Sequence, residues 1–87
     1  IRGHRVDYDG WAALGNEGWS YDDVLPSFRL SEHNERFDDA WHGRDGPLWV
    51  SDLRTGNPFH ARYLEAAQQA GLPLTDDFNG AQQEGIG

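Results

Sequence analysis

The most regular pattern of apolar residues lies in the second half of the chain and predicts a helix. Its apolar positions recur at the 3.6-residue helical period and are Phe59, Tyr63, Ala66, Ala67 and Ala70. Asn57 is a favoured N-cap, Pro58 suits the first helical position, and Gly71 is a typical helix terminator. We therefore expect a helix over residues 58–70, in which Phe59, Tyr63 and Ala67 are buried.

A second helix is predicted where the start signal is strongest. Ser20 is followed three residues later by Asp23, as in a capping box. Trp19 and Val24 occupy the two positions of a hydrophobic staple across that cap. The residues expected on its buried face are Tyr21, Val24, Leu25 and Phe28. Pro26 has no backbone N–H group and lies beyond the first turn, so we expect a kink or a shortened helix that ends at about residues 31–33.

A shorter helix is predicted over residues 7–14, near the start of the chain. Its apolar stripe consists of Tyr8, Trp11 and Leu14. Asp7 or Asp9 is expected to cap this helix, because a carboxylate suits the positive end of the helix dipole. Gly15 is expected to end it.

The remaining segments predict a loop, a short strand and a turn. Residues 34–46 are polar and contain glycines, so we expect a loop in which Trp41 packs inward. Apolar and polar residues alternate over residues 47–51, as in a short strand, and residues 76–80 predict a turn. The fold class is therefore α+β and mostly helical, with three helices and one or two short strands. We expect residues 1–87 to form a single segment without an internal domain boundary.

Composition and charge exclude several classes of function. The 87 residues include seven Arg, no Lys, and fifteen Asp and Glu, which gives a formal net charge of −8. So acidic a chain argues against a nucleic-acid partner and against a polybasic membrane-binding surface. Without Lys there is no phosphate-binding loop that ends in Gly-Lys-Ser/Thr and no Schiff-base lysine. Without Cys there is no disulfide framework, no thiolate metal site and no Cys nucleophile.

The apolar content suggests that this chain depends on a partner for part of its stability. Leu, Ile, Val and Phe are few, whereas four tryptophans offer large surfaces to bury. These are Trp11, Trp19, Trp41 and Trp49. The chain begins at Ile1 without Met and ends at Gly85-Ile86-Gly87, where a strand or turn is expected to start. We expect a segment of a longer protein that, when isolated, associates with itself.

Four dispersed histidines are the first candidates for chemistry. They are His4, His33, His42 and His60. No two of them have the i, i+4 helical spacing that lets two imidazoles hold one metal ion, so surface or capping roles are expected. Residues 76–80 also resemble part of a calcium loop. However, Thr75 and Ile86 stand where that loop requires Asp and Glu, so a turn is expected there.

Paired acids, serines and a glycine-containing C-terminal run are the remaining candidates for a functional site. The adjacent acids Asp22/Asp23 and Asp38/Asp39 are expected to be solvated charges rather than an acid–base pair. The serines Ser20, Ser27, Ser31 and Ser51 lie outside any nucleophile-elbow sequence. Gly85-Ile86-Gly87 offers only the first three residues of a dinucleotide fingerprint. We therefore predict no catalytic, no cofactor-binding and no metal-binding residue in this chain.

Several sequence runs nevertheless occur in the order that is found in one enzyme family. They are Ile1-Arg2-Gly3-His4; Asp7-Tyr8-Asp9-x-Trp11; Gly18-Trp19-Ser20-Tyr21-Asp22-Asp23-Val24-Leu25-Pro26-x-Phe28; Ser31-Glu32; His42-Gly43-x-x-Gly46-Pro47-Leu48-x-Val50; Asp76-x-Phe78-Asn79-Gly80; and Gln83-x-Gly85. With these runs the chain resembles the GMC (glucose–methanol–choline) oxidoreductases over essentially its whole length. The resemblance is strongest to the choline- and alcohol-dehydrogenase-like members.

This resemblance implies a segment from the flavin-covering and substrate-domain region of a two-domain FAD-dependent α/β oxidoreductase. In such enzymes a hydride moves from an alcohol carbon to the flavin, while a histidine near the C-terminus takes the hydroxyl proton. The flavin-contacting signature is expected just upstream, so only its tail, from Gly3 to about Asp9, lies in this chain. None of the four histidines matches a catalytic position of the family. The isolated chain is thus expected to bind no FAD, to be inactive, and to supply scaffold and enclosure.

The resemblance also implies partners and a location, and it leaves the substrate open. The expected partners are the remainder of the polypeptide and, in the whole enzyme, an alcohol. A cytoplasmic location is expected unless the whole enzyme is membrane-associated. Leu30 replaces a residue that is usually polar or basic, and Phe37 and Trp41 lie in the variable residues 34–42, so the alcohol is not specified. The alternative is a stand-alone small acidic protein-interaction domain, whose aromatic stripes would bind a partner.

Overall fold

The structure is a computed structural model that describes residues 1–87. Its elements in chain order are α1 (Arg5–Ala13), α2 (Tyr21–Ser31), β1 (Glu32–Asn34), β2 (Leu48–Val50) and α3 (Pro58–Gln69). Three helices and two three-residue strands confirm the predicted fold class of a mostly helical α+β chain. No helix has the length and apolar character needed to cross a membrane.

The chain forms two compact units, Ile1–Asp52 and Leu53–Gly87, which we call unit 1 and unit 2. Unit 1 contains α1, α2 and both strands, and unit 2 contains α3 and the C-terminal segment. Unit 2 is shorter than about 40 residues, a size at which a segment seldom folds alone. A compact unit of this size is not by itself evidence of a separate domain. The expectation of a single segment without an internal domain boundary therefore stays a prediction.

Helix α1 begins two residues earlier than predicted because a histidine caps it. His4 has an extended backbone, and its Nδ1 accepts a hydrogen bond from the Val6 N–H group at 3.2 Å. The prediction of Asp7 or Asp9 as the cap is thus wrong. Asp7 lies in the first turn of α1, whereas Asp9 Oδ1 accepts a hydrogen bond from the Tyr21 N–H group at 3.0 Å. Asp9 therefore satisfies a donor at the start of α2 instead.

Helix α2 begins at the predicted capping box. Ser20 Oγ accepts a hydrogen bond from the Asp23 N–H group at 3.2 Å, and Asp23 Oδ2 accepts one from the Ser20 N–H group at 3.1 Å. The helix continues past Pro26 to Ser31, so the predicted end is confirmed and the helix is not shortened. Pro26 costs the helix one backbone hydrogen bond without ending it. Of the predicted buried face, Tyr21 is buried, and the other three residues, Val24, Leu25 and Phe28, are half-buried.

Aromatic rings join α1 to α2. The Tyr8 ring lies 5.4 Å from Trp11, 6.2 Å from Tyr21 and 5.9 Å from Phe28, measured between ring centroids. Most of these pairs are edge-on or tilted, which is the arrangement that aromatic quadrupoles favour. Part of the predicted stripe on α1 stays uncovered, since 82% of Leu14 and 47% of Trp11 are exposed.

The two strands form a parallel pair in which His33 lies opposite Trp49 and Asn34 opposite Val50. Strand β2 confirms the prediction for residues 47–51. Strand β1 was not predicted, because it includes Asn34 at the edge of the expected loop and consists only of polar residues. The His33 and Trp49 rings stack with centroids 3.8 Å apart.

Two glycines let the loop after β1 approach the main chain closely. Asn34 N–H donates to the Gly43 carbonyl at 2.8 Å, and Gly46 N–H donates to the Glu32 carbonyl at 2.9 Å. A Cβ atom at Gly43 would collide with the carbonyl of Arg29, and one at Gly46 would collide with the backbone of Ser31. Any larger residue at either position would push the loop away from the C-terminal end of α2.

Unit 2 consists of α3 and a turn-rich segment that follows it. Helix α3 has Asn57 as its N-cap, ends at Gln69, and is followed by Gly71 with a φ of 94°, so the predicted helix is confirmed. The prediction of its buried face is wrong for two residues of three, since only Ala67 is buried while 75% of Phe59 and 62% of Tyr63 are exposed. Their ring faces find no covering residues in unit 2.

The C-terminal segment is held by a short parallel bridge. Thr75 N–H donates to the Ile86 carbonyl and Ile86 N–H donates to the Pro73 carbonyl, both at 2.9 Å. The predicted turn over residues 76–80 is present, and Asp77 Oδ1 accepts a hydrogen bond from the Asn79 N–H group at 2.9 Å. This local bond explains the use of Asp at position 77 of the turn.

Candidate functional site

Unit 1 buries a group of polar side chains that we call the Glu32 cluster. Its members are Arg2, Glu32, Asn34 and His42. Only 4% of Glu32, 5% of Asn34 and 1% of His42 is exposed. Charged and polar side chains are seldom buried to this degree unless they are paired with one another. The cluster is therefore the most specific polar arrangement in this chain.

The Glu32 carboxylate is the centre of the cluster. It accepts a hydrogen bond from the Arg2 guanidinium at 2.8 Å and one from the Gly43 N–H group at 3.0 Å, both at Oε2. Asn34 Nδ2 lies 3.3 Å from Oε1. His42 Nδ1 lies 3.1 Å from Oε2. Because these four groups come from the N-terminal segment, β1 and the loop after it, one carboxylate joins three parts of unit 1.

Three further hydrogen bonds, two to the side-chain oxygen of Asn34 and one from Arg2, fix the orientation of the cluster. Asn34 Oδ1 accepts from the N–H groups of Arg36 and Phe37, each at 2.9 Å, so its NH2 group must face Glu32 and His42. Asn34 Nδ2 lies 3.2 Å from His42 Nδ1. The second guanidinium nitrogen of Arg2 donates to the Trp41 carbonyl.

Stacking covers the imidazole ring of His42. The Phe37 ring stacks on it with centroids 5.0 Å apart and an angle of 25° between the ring planes, so one face of the buried imidazole is covered by an apolar ring. The predicted inward packing of the loop therefore involves Phe37, while Trp41 is half-buried and contributes its carbonyl.

The arrangement of the Glu32 cluster suits a structural role rather than a catalytic one. The carboxylate is buried and hydrogen-bonded to several donors at once, so it is not open to a substrate proton. The cluster contains no hydroxyl or thiol that could act as a nucleophile. The buried ion pair between Arg2 and Glu32 is compensated by hydrogen bonds on both sides, which is the condition under which such a pair is tolerated.

The pKa values of both members of one exposed ion pair are shifted from their ordinary values. Arg5 NH2 lies 2.7 Å from Asp22 Oδ1 and thereby links α1 to the first turn of α2. The hydrogen bond from Arg5 holds the pKa of Asp22 below its ordinary value, and the same bond raises the pKa of Arg5. Both side chains are solvated, so this pair marks a surface contact rather than a reactive centre.

Two surface cavities lie in unit 1. One, of about 520 Å³, is lined by arginine and aspartate side chains that include Arg29, Asp38 and Arg44. The other, of about 370 Å³, is lined by Trp11, Asn16 and Trp19. The first has both charge signs on its wall and the second has two indoles in edge contact, with ring centroids 5.7 Å apart. Neither contains a nucleophile beside a base.

The four histidines occupy four different environments. His4 caps α1 and His60 is exposed on α3, as the expected capping and surface roles require. His33 stacks on Trp49, and His42 is buried in the Glu32 cluster, so a surface or capping role is wrong for His42. No three His, Asp or Glu side chains come close enough together to hold a metal ion.

Sequence reasoning did not identify the Glu32 cluster. Glu32 and His42 belong to two of the runs that carry the family resemblance, which was the one available signal. Nothing in the spacing of Arg2, Glu32 and His42 indicates that they meet, because 30 and 39 residues separate Arg2 from its partners Glu32 and Trp41. Carboxylates and imidazoles in a polar stretch are ordinarily solvated.

Comparison with known proteins gives one consistent family. The family model described as GMC oxidoreductase matches residues 1–87. The oxygen-dependent choline dehydrogenase of Sinorhizobium fredii (strain NBRC 101917 / NGR234) is 48% identical over 87 residues, which are 100% of this chain and 16% of that protein. The mitochondrial choline dehydrogenase of Homo sapiens is 49% identical over 87 residues, which are 15% of its length. The chain thus spans about one sixth of the length of these relatives.

Solved structures give the same result. Pyridoxine 4-oxidase from Mesorbium loti is similar over 98% of this chain and 17% of its own, with a TM-score of 0.84 and 30% identity. An FAD-dependent oxidoreductase from Chaetomium thermophilum is similar over the same shares, with a TM-score of 0.87 and 33% identity. The fold of residues 1–87 therefore occurs inside larger enzymes, one of them an FAD-dependent oxidoreductase, in agreement with the predicted fold class.

Proposed function

The chain belongs to the GMC oxidoreductase family, and from this premise we propose that it is a segment of an FAD-dependent alcohol or choline dehydrogenase or oxidase. We call that longer protein the parent enzyme. It would transfer a hydride from an alcohol carbon to the flavin. The observation that carries this proposal is the 48–49% identity to choline dehydrogenases over all 87 residues, at 15–16% of their length.

The residues of this chain do not form an FAD site by themselves. The sequence contains no Gly-x-Gly-x-x-Gly segment that could approach a pyrophosphate. The buried polar groups of unit 1 are already bonded to one another in the Glu32 cluster. Bound FAD would supply the hydride acceptor of the parent enzyme.

The contribution that these residues fit is scaffold and enclosure. The Glu32 cluster fixes the N-terminal segment to β1 and to the loop after it, and the rings of Tyr8, Tyr21 and Phe28 join α1 to α2. The partners of the chain would be the remainder of the polypeptide and, in the parent enzyme, an alcohol substrate.

The parent enzyme provides the direct test of the proposed activity. It should be purified and its visible spectrum recorded, and choline and simple primary alcohols should then be supplied with an artificial electron acceptor. We expect flavin absorbance and alcohol-dependent reduction of the acceptor. A parent enzyme that contains no flavin, or a flavin that no alcohol reduces, would contradict the proposal.

The isolated chain is expected to be inactive and to bind no FAD. It should be mixed with FAD and passed through a gel-filtration column, and the flavin absorbance of the protein peak should then be measured. A colourless peak is expected. Stoichiometric yellow protein, or dye reduction that depends on an alcohol, would overturn this part of the proposal.

Self-association of the isolated chain remains part of the proposal. Large exposed fractions of Trp11, Trp19 and Trp49 (47%, 51% and 72%) support it, since covering apolar surface is favourable by about 25 cal/mol per Å². The net charge of −8 opposes it, and salt should weaken that repulsion. Sedimentation equilibrium in moderate salt should detect species larger than the monomer, and a strict monomer at every concentration would contradict the proposal.

A cytoplasmic location of the parent enzyme also stays a prediction, with membrane association as its alternative. Cell fractionation with an antibody against this chain would distinguish the two. The other reading of the sequence, a stand-alone acidic interaction domain, gains no support from the relatives, all of which contain these residues within much longer chains.

A further inference from the structure

Helix α3 has an apolar side that unit 2 leaves uncovered. Along this side, at intervals of four, three and four residues, lie Phe59, Tyr63, Ala66 and Ala70, all of them exposed. The side of α3 that unit 2 does cover contains Ala67, which is buried, and Leu64, which is half-buried. The apolar sector of this helix is therefore wider than the sector that its own unit buries.

The polar residues of α3 lie on a side of the helix that is separate from this apolar side. Arg62, Glu65 and Gln69 recur at intervals of three and four residues and form a separate polar face. A surface helix exposes such a polar face and buries its apolar one. The two rings are large, and the two alanines beside them would allow another backbone to approach closely.

We propose that the α3 face formed by Phe59, Tyr63, Ala66 and Ala70 is a docking surface for an apolar element of the parent polypeptide that lies outside residues 1–87. This inference rests on the proposed function only in that it requires a parent polypeptide. The relatives support that requirement, because the 87 residues make up 15–17% of their length.

The size of the face favours a segment of the same polypeptide over a second copy of the chain. Two aromatic rings bury about 300–500 Å² when they are covered. A stable complex of separate molecules needs about 800 Å² from each partner. An element of the same polypeptide needs less, because its tether keeps it at a high effective concentration. Two copies would also bring together two chains of charge −8.

The test places the same variants in two contexts, the isolated chain and the parent enzyme. The double variant Phe59→Ser, Tyr63→Ser removes the apolar face, and Gln69→Ser on the polar face is the matched control. In the isolated chain we expect the double variant to leave the thermal midpoint and the circular dichroism unchanged. In the parent enzyme we expect it to lower the thermal midpoint by at least about 3 °C, with no change for the control.

A second variant keeps the test independent of any loss of helix. Ala66→Arg retains good helix propensity and points a long charged side chain out of the same face. It should leave the isolated chain unchanged and destabilise the parent enzyme, since an arginine would then be trapped in an apolar contact.

Three results would overturn the docking surface. Unchanged thermal midpoints for all variants in the parent enzyme would show that nothing covers the face. Destabilisation of the isolated chain by the double variant would show that the face is packed within residues 1–87. Loss of self-association in the double variant would identify a second copy as the occupant. None of these readouts uses flavin or alcohol oxidation. The proposed activity can therefore be refuted while the docking surface is supported, and the docking surface can be refuted while the activity is supported.

Discussion

Unit 1 buries charged and polar side chains against one another, whereas unit 2 leaves large apolar side chains uncovered. Only 1% of His42 and 4% of Glu32 is exposed in unit 1, while 75% of Phe59 and 62% of Tyr63 is exposed in unit 2. In both units burial departs from what hydropathy alone suggests. A polar side chain can be buried when its partners lie within the same segment, and an apolar one stays exposed when its own segment offers no residues to cover it.

The largest expected effect tests the polar half of this comparison. Glu32→Ala should destabilise unit 1 by about 3–5 kcal/mol, because it leaves the buried guanidinium of Arg2 without a counter-charge and removes a contact of His42. Urea unfolding followed by tryptophan fluorescence measures this loss. The matched control is Glu17→Ala on the surface, which should change stability by less than about 0.5 kcal/mol. Equal effects of the two variants would show that the Glu32 cluster contributes little.

The next effect tests how much of α3 is packed within unit 2. Ala67→Glu should cost about 2–4 kcal/mol, since it buries a carboxylate without a partner. In the isolated chain, Ala66→Glu, one residue away on the exposed side, should cost less than about 0.5 kcal/mol. Hydrogen exchange of the α3 amides reports both variants. If Ala67→Glu left the exchange rates unchanged, even the covered side of α3 would be open to water.

A smaller effect concerns the one buried polar atom of unit 1 that lacks a partner. The Tyr21 hydroxyl is buried without a hydrogen bond, although the Tyr21 ring lies among other aromatic rings. Tyr21→Phe should therefore raise the free energy of unfolding by about 1 kcal/mol, because it removes an unsatisfied group. A decrease of similar size in thermal or urea unfolding would mean that the hydroxyl is hydrogen-bonded in solution.

The smallest effect is the pH dependence of the exposed pair between Arg5 and Asp22. The pKa of Asp22 is lower in the folded chain than its ordinary value because Arg5 hydrogen-bonds to it. Its stabilising contribution is present above about pH 4 and is lost as the pH falls through the lowered pKa. NMR titration of the Asp22 carboxyl should detect this lower pKa, and Arg5→Gln should return it to the ordinary range. A titration that Arg5→Gln leaves unaltered would show that the pair does not form in solution.

Local signals predicted the helices well, because caps and terminators act within a few residues. Ser20 with Asp23 begins α2, and Asn57 with Gly71 delimits α3, as the sequence indicates. The cap of α1 was mispredicted because an imidazole nitrogen at His4 took the role that carboxylates usually fill. Capping preferences are averages over many helices, so a less common capping residue is missed.

Burial was harder to predict, because it depends on contacts between residues that are far apart in the chain. The spacing of Phe59 and Tyr63 correctly indicates an apolar side of α3, yet it carries no information about where the covering residues lie. The Glu32 cluster is the converse case, since its polar residues give no apolar period from which burial could be inferred. The lack of a catalytic, cofactor or metal site in this chain stays a prediction.

The long sequence separations within the Glu32 cluster also govern the order in which unit 1 forms. Arg2 leaves the ribosome some 30 residues before Glu32 and 39 before Trp41, so its guanidinium must remain hydrated while α1 and the start of α2 are already able to form. Closing so long a loop costs entropy before any ion pair is gained. We therefore expect the helices to form first during synthesis, and the N-terminal segment to be fixed last, once the loop after β1 has emerged.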